Sequence, residues 1–225
     1  RLKWMECPSD PSAGEITSYL PGTTNFYSRR RAVRTSYLFA TGVYTDYSAP
    51  WHLYSGDIRR GAFGNNGAAK FADIQDGTSN TIAVGEAAGG AGIKQKVSSH
   101  FGPWGLAGTH TCCHGRVVSY SSTRVANPAN PAQNTAYRND WHINAIWRGD
   151  VKQRGYAWVF NSHHPGGAQF VLCDGSTQFL PEIMDYEVFC RLNYIAADDP
   201  VERHNSLGRR PMRRRIGQGT VITRP

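Results

Sequence analysis

Residues 162–180, SHHPGGAQFVLCDGSTQFL, constrain the fold more than any other stretch, because two turn signals bracket short alternating apolar runs. His164 precedes a proline and is pushed towards extended backbone, and Pro165-Gly166 suits the two central positions of a type II turn. Asp174-Gly175 then separates two alternating runs, the local signal for a tight hairpin in which Gly175 supplies a positive φ. A two-residue loop sets Cys173 against Ser176, Leu172 against Thr177, Val171 against Gln178 and Phe170 against Phe179. On that register Phe170, Leu172 and Phe179 share one core-facing side.

His164, nine further residues and then Asp174-Gly175 resemble the C-terminal signature of the bacterial prepilin-type, His-x9-Asp-Gly family, formerly classed among solute-binding proteins. Two more stretches agree. Cys7, Pro8, Ser9 and Asp10 match the family's CPSD run, and DIQDGTSNTIAVGE (73–86), with Asp76, Gly77, Thr78, Ser79, Asn80 and Glu86, matches its DGTSNTI-x-VGE segment. Together with His164, Pro165, Gly166, Gly167, Asp174 and Gly175 they make three ordered motifs between Cys7 and about Ala197. The resemblance implies an α+β, pilin-like globular domain, exported to the cell surface or beyond, with an antiparallel sheet, long decorated loops and a short C-terminal helix. Family members carry a prepilin leader and a long apolar helix ahead of CPSD. Neither is present here, so the chain reads as a processed or trimmed product. Five cysteines leave one free or bonded outside the chain. The resemblance suggests that Cys7 pairs with a cysteine of the absent segment, while Cys173 or Cys190 can reach towards the Cys112-Cys113 loop; connectivity stays open.

At 225 residues, 40% hydrophobic and 12% aromatic, the chain can bury one sizeable core, and residues 1–202 are expected to form a single domain. Its 24 glycines and 12 prolines follow no period, which points to many turns between short strands. No stretch approaches the roughly 20 apolar residues of a membrane span. The net charge of +8 is concentrated at the end: residues 203–225 hold seven arginines and no carboxylate, including Arg209, Arg210, Arg213, Arg214 and Arg215. With Gly208, Pro211 and Gly217 around them they form an extended basic arm, either solvated or docked on an acidic glycan or neighbouring subunit. No aromatic side chain interleaves them, which argues against a nucleic-acid groove.

Along the chain, residues 35–44 read as a strand with a bend at Gly42. Residues 61–67, GAFGNNG, lack the Lys-Ser/Thr pair of a phosphate cradle. Asp76-Gly77 forms an Asx-type turn into a strand over 81–86, with Ile82 and Val84 on one face, which joins the hairpin. Residues 87–92 and 127–134 are loops, and 156–161, YAWVFN, is an aromatic strand. Asp185 caps a helix whose Val188, Phe189, Leu192 and Ile195 pack on Phe170, Leu172 and Phe179, ending near Ala197.

Three constellations raise metal chemistry. His100, His110, Cys112, Cys113 and His114 gather zinc or copper ligands at no standard spacing, and are read as structural or disulfide-forming, with no transition metal needed for folding. Asp73, Asp76 and Asn80 are too few oxygens for calcium by themselves. His164 and Asp174 have turn duties first; as ligands they would take zinc or another divalent ion, completed by His163 or Asp76. The sequence contains no G-x-S-x-G elbow, H-E-x-x-H or P-loop. The expected role is therefore a non-enzymatic structural subunit of a surface filament, type IV pilus-like fibre or type II secretion pseudopilus, without a cofactor and partnered by itself or related subunits. The alternative is an extracytoplasmic solute- or glycan-binding module using exposed Trp51, Trp104, Trp141 and Trp147.

Overall fold

The computed structural model describes residues 3–11, 13–14, 35–45, 48–87, 114–146 and 158–196. A five-stranded sheet forms from β1 (Tyr37–Gly42), β4 (Ile82–Glu86), β5 (His114–Arg116), β6 (Gly167–Leu172) and β7 (Thr177–Pro181), in the order β5-β1-β4-β6-β7. β2 (Phe63–Gly64) and β3 (Gly67–Ala68) make a separate two-stranded hairpin. With helices α1 (Pro131–Trp141) and α2 (Tyr186–Asn193) the architecture is α+β. No helix of the described residues is long and apolar enough to cross a membrane. The sheet is mixed rather than antiparallel throughout, because β5 pairs parallel with β1.

The expected hairpin is present with a different register. Val171 pairs with Thr177, Phe170 with Gln178, Gln169 with Phe179 and Ala168 with Leu180. Gly175 N–H donates to Leu172 O at 3.0 Å and Leu172 N–H to Ser176 O at 2.8 Å, so the loop holds three residues, Cys173, Asp174 and Gly175. Gly175 takes φ +86°, the left-handed position that closes a three-residue loop. One added loop residue moves every β7 side chain to the other face. Leu180 is consequently buried and Phe179 is 44% exposed.

A second irregularity lies in β4, whose pairing with β6 shifts between Ile82 and Val84. Ile82 is fully buried and Val84 only partly, so the two do not share the core face; Gly85 takes that place instead. A Cβ on Gly85 would lie 2.5 Å from the rings of Phe160 and Phe170, and one on Gly115 would lie 2.0 Å from Phe160. These glycines let Phe160, Phe170 and Phe189 pack edge-on at centroid distances of 5.3, 5.8 and 6.1 Å.

Helix α2 forms where the cap signal places it. The Asp185 carboxylate accepts from Glu187 N–H at 2.9 Å and Val188 N–H at 3.1 Å. Its buried stripe is Tyr186, Phe189, Cys190 and Asn193, whereas Val188 is 48% exposed and the helix stops at Asn193. The Tyr186 hydroxyl donates to Val118 O at 2.8 Å and accepts from Val118 N–H at 3.1 Å, tying the helix to the segment after β5. Helix α1 occupies part of the expected 127–134 loop: Asn130 caps it, accepting from Gln133 N–H at 3.0 Å, and Pro131 fills its first turn. Residues 158–161 are irregular instead of a strand, joined to the sheet by a bridge from Asn161 to Ala87 and by the Arg116 amide, which donates to Trp158 O at 2.8 Å.

A polar clasp as the candidate functional site

Strands β4 and β6 run antiparallel, and the motifs lie along them in opposite directions. Asp76 to Glu86 and His164 to Asp174 each enclose nine residues. The start of one motif therefore meets the end of the other, at both ends of the ladder.

At the hairpin tip, Cys173 N–H donates to Thr81 O at 2.8 Å and Asp174 N–H to Thr78 O at 3.2 Å. The Asp174 carboxylate accepts from the Ser176 amide at 2.9 Å and its hydroxyl at 2.7 Å. These Ser176 bonds, joined by one from Ser79, hold the Asp174 acid below the ordinary carboxylate range. Gly77, at φ +91°, turns the chain into this contact.

At the hairpin base the CPSD run closes a third side. Asp10 N–H donates to Cys7 O at 3.0 Å, forming the expected turn. Ser36, just before β1, donates its amide to Met5 O at 2.8 Å and its hydroxyl to Asp10 Oδ2 at 3.0 Å. The N-terminal segment is thereby pinned to the sheet beside the last residue of β4, Glu86.

Glu86 is only 4% exposed, and its carboxylate, at the end of the 73–86 motif, meets partners from the other two. Oε1 lies 3.2 Å from the Cys7 thiol, which donates to it, and 3.2 Å from His164 Nε2. Oε2 accepts from the Gln169 amide at 2.8 Å. Cys7 Sγ and His164 Nε2 stand 3.9 Å apart. Burial raises the Cys7 thiol above its ordinary range, and the Glu86 carboxylate reinforces the shift against an opposing bond from the Ser9 backbone. A second pair runs alongside, His163 Nε2 at 3.8 Å from Asp10 Oδ1. Cys7, Asp10, Ser36, Glu86, Ser162 and His163 border a recess with room for about one water molecule.

His164 and Asp174 do not form one site, because the six residues of β6, about 20 Å of strand, separate the ends they occupy. His163 stays beside His164, while Asp76 belongs to the tip. The calcium reading finds no convergence either: Asp73 accepts from the Lys70 amide at 2.8 Å, and the Asn80 amide donates to Asp76 O at 3.0 Å. Of the His/Cys group only His114, on β5, is among the described residues; His100, His110, Cys112 and Cys113 lie outside them, as does the basic arm. Trp51 is buried, its indole donating to Gly61 O at 3.0 Å with Arg60 over the ring, and Trp141 is partly buried under Arg116. Neither is an open aromatic platform, and Trp104 and Trp147 lie outside the described residues. Cys7, Cys173 and Cys190 are free thiols.

The fold and clasp define an α+β domain whose N-terminal segment is bound to its sheet through a Cys-Glu-His cluster in which Cys7 and Glu86 are buried and His164 is half-buried. The chain belongs to the family described as "Protein of unknown function (DUF1559)", labelled SBP_bac_10, whose model matches residues 1–187. No curated protein and no solved structure matches it.

Proposed function

We propose that the protein is an exported, non-enzymatic structural subunit of a surface filament or pseudopilus, assembling with itself or with related pilin-like subunits. The observation that carries this reading is where the motif side chains are used. Cys7, Glu86 and His164 are turned onto one another and Asp10 onto the Ser36 hydroxyl, fastening the segment that leads into the domain to the central strands. A subunit held in a fibre by what precedes its globular domain needs such a fastening, since load entering there must reach the sheet. A solute-binding site needs an open, partly apolar cleft instead, and the clasp recess has room for about one water.

Cys, His and carboxylate together also suggest a nucleophilic triad, but a reactive cysteine needs a stabilised thiolate. Here the thiol is kept protonated by burial and donates to Glu86. Electron microscopy of native surface material, labelled with an antibody to residues 35–196, tests the proposal. Labelled filaments are the expected result. Label confined to dispersed monomers, together with a melting temperature that rises on adding a sugar, would overturn it in favour of a binding module.

A further inference from the structure

The geometry points to a zinc site formed by Cys7 Sγ, Glu86 Oε1 and His164 Nε2, with water in the fourth position. These three atoms lie within 4.8 Å of one another on two buried residues and one half-buried residue. Their separations are 3.2, 3.2 and 3.9 Å. A tetrahedral zinc, with a Zn–S bond of about 2.3 Å and Zn–N and Zn–O bonds of about 2.0–2.2 Å, requires ligand-to-ligand edges of roughly 3.3–3.6 Å. The cluster thus needs only small adjustments to surround an ion.

The ligand types select the metal. Thiolate and imidazole favour zinc over calcium or magnesium, and the carboxylate argues against a purely soft site for Cu(I). Support from outside the ligands is in place: the Gln169 amide holds Glu86 Oε2, leaving Oε1 for the ion. The Ser162 hydroxyl accepts from the His164 backbone amide at 3.1 Å, which fixes the backbone that carries the imidazole. The recess beside the cluster supplies space for the water. On binding, the Cys7 S–H bond is exchanged for S–Zn and its proton leaves to solvent, while the imidazole of His164 carries its one proton on Nδ1 so that the Nε2 lone pair goes to the ion. Thiolate and carboxylate then balance the dication in a buried place. The site would join the N-terminal segment, β4 and the residues before β6 by metal bonds. It is independent of the filament reading, since metal content and fibre formation are separate observables.

The test uses the full chain with Cys112→Ser and Cys113→Ser, stripped with chelator and titrated with Zn2+ or Co2+. One tightly held equivalent of zinc by elemental analysis is expected, with a thiolate-to-cobalt charge-transfer band and tetrahedral ligand-field bands in the Co2+ form. Cys7→Ser should abolish the charge-transfer band. Glu86→Gln and His164→Ala should each weaken Zn2+ binding by at least about 100-fold, since losing even an outer partner of a ligand costs 10–100-fold. A chain that takes up no zinc, or a Cys7→Ser variant that keeps the cobalt band, overturns the site. If Cys7→Ser does not fold, alkylation of the parent chain decides: zinc must protect Cys7 from the reagent, and equal labelling with and without zinc overturns the inference.

Discussion

Glu86 gathers a thiol, an imidazole and a backbone amide on a carboxylate that water barely reaches. Replacing it by glutamine removes the charge and turns one acceptor into a donor, so one of the three partners faces an N–H. Glu86→Gln is expected to lower stability by about 1–3 kcal/mol, read from the denaturant midpoint. The thiols make a second prediction. Burial raises Cys7 above the ordinary value of 9.0, Cys173 to about 11 and Cys190 to about 12. Because the folded values lie above the unfolded one, their contribution is fully present below pH 9.0 and is lost as pH rises towards 12. Denaturant midpoints should therefore fall steadily from pH 9 to pH 11, and a flat profile across that window would contradict it. Cys7, Asp10, Glu86 and His164 were legible in the sequence as motif letters, whereas Ser36 and Gln169, which carry no motif, were not. The meeting of the motif letters was not legible either, since Cys7 is 79 positions from Glu86 and 157 from His164. The equal nine-residue spans of the two later motifs were the available signal, once β4 and β6 are read as antiparallel partners.

The hairpin shows how an element can be legible while its register is not. Asp-Gly announces a turn, yet it closes either a two-residue loop or a three-residue loop ending in a left-handed glycine, and the choice depends on whether Cys173 belongs to the strand. In both cases Gly175 has positive φ, so Gly175→Val should cost roughly 1 kcal/mol or more, measured by the denaturant midpoint. A pair of substitutions separates the two registers. Leu180→Ala should cost about 2–5 kcal/mol because Leu180 fills the core, and Phe179→Ala markedly less because that ring is nearly half exposed. The reverse order would restore the two-residue loop. Helix α1 carries no periodic apolar signal in the sequence, because none of its residues is fully buried and no apolar stripe marks it. Its Asn-Pro start was the usable sign, a cap residue followed by a proline suited to the first turn. Helix α2, with a cap and a stripe that agree, was legible in position, though Tyr186 and Cys190 rather than Val188 and Leu192 complete its most buried face.

Across the whole molecule, the central strands β1, β4 and β6 receive every motif, whereas the net charge lies almost wholly at the other end of the sequence. Seven arginines without a carboxylate in 203–225 follow a body close to neutral. Charged groups of one sign repel one another and gain from any acidic or carbonyl-rich surface brought near, each exposed contact giving about 0–1 kcal/mol and weakening with salt. Summed over several arginines, that is enough to shift an association equilibrium without affecting a core made by residues such as Phe160, Phe170 and Phe189. We therefore expect removal of residues 208–225 to weaken self-association or docking on related subunits while the cooperative unfolding transition stays in place. Sedimentation velocity of the full and shortened chains, at low and high salt, reads the difference. The full chain should show larger species at low salt that dissolve at high salt, and the shortened chain should remain small at both. Identical profiles for the two chains at every salt and concentration, with unlabelled filaments in native material, would remove the arm from assembly and leave the globular faces to account for any contact between subunits.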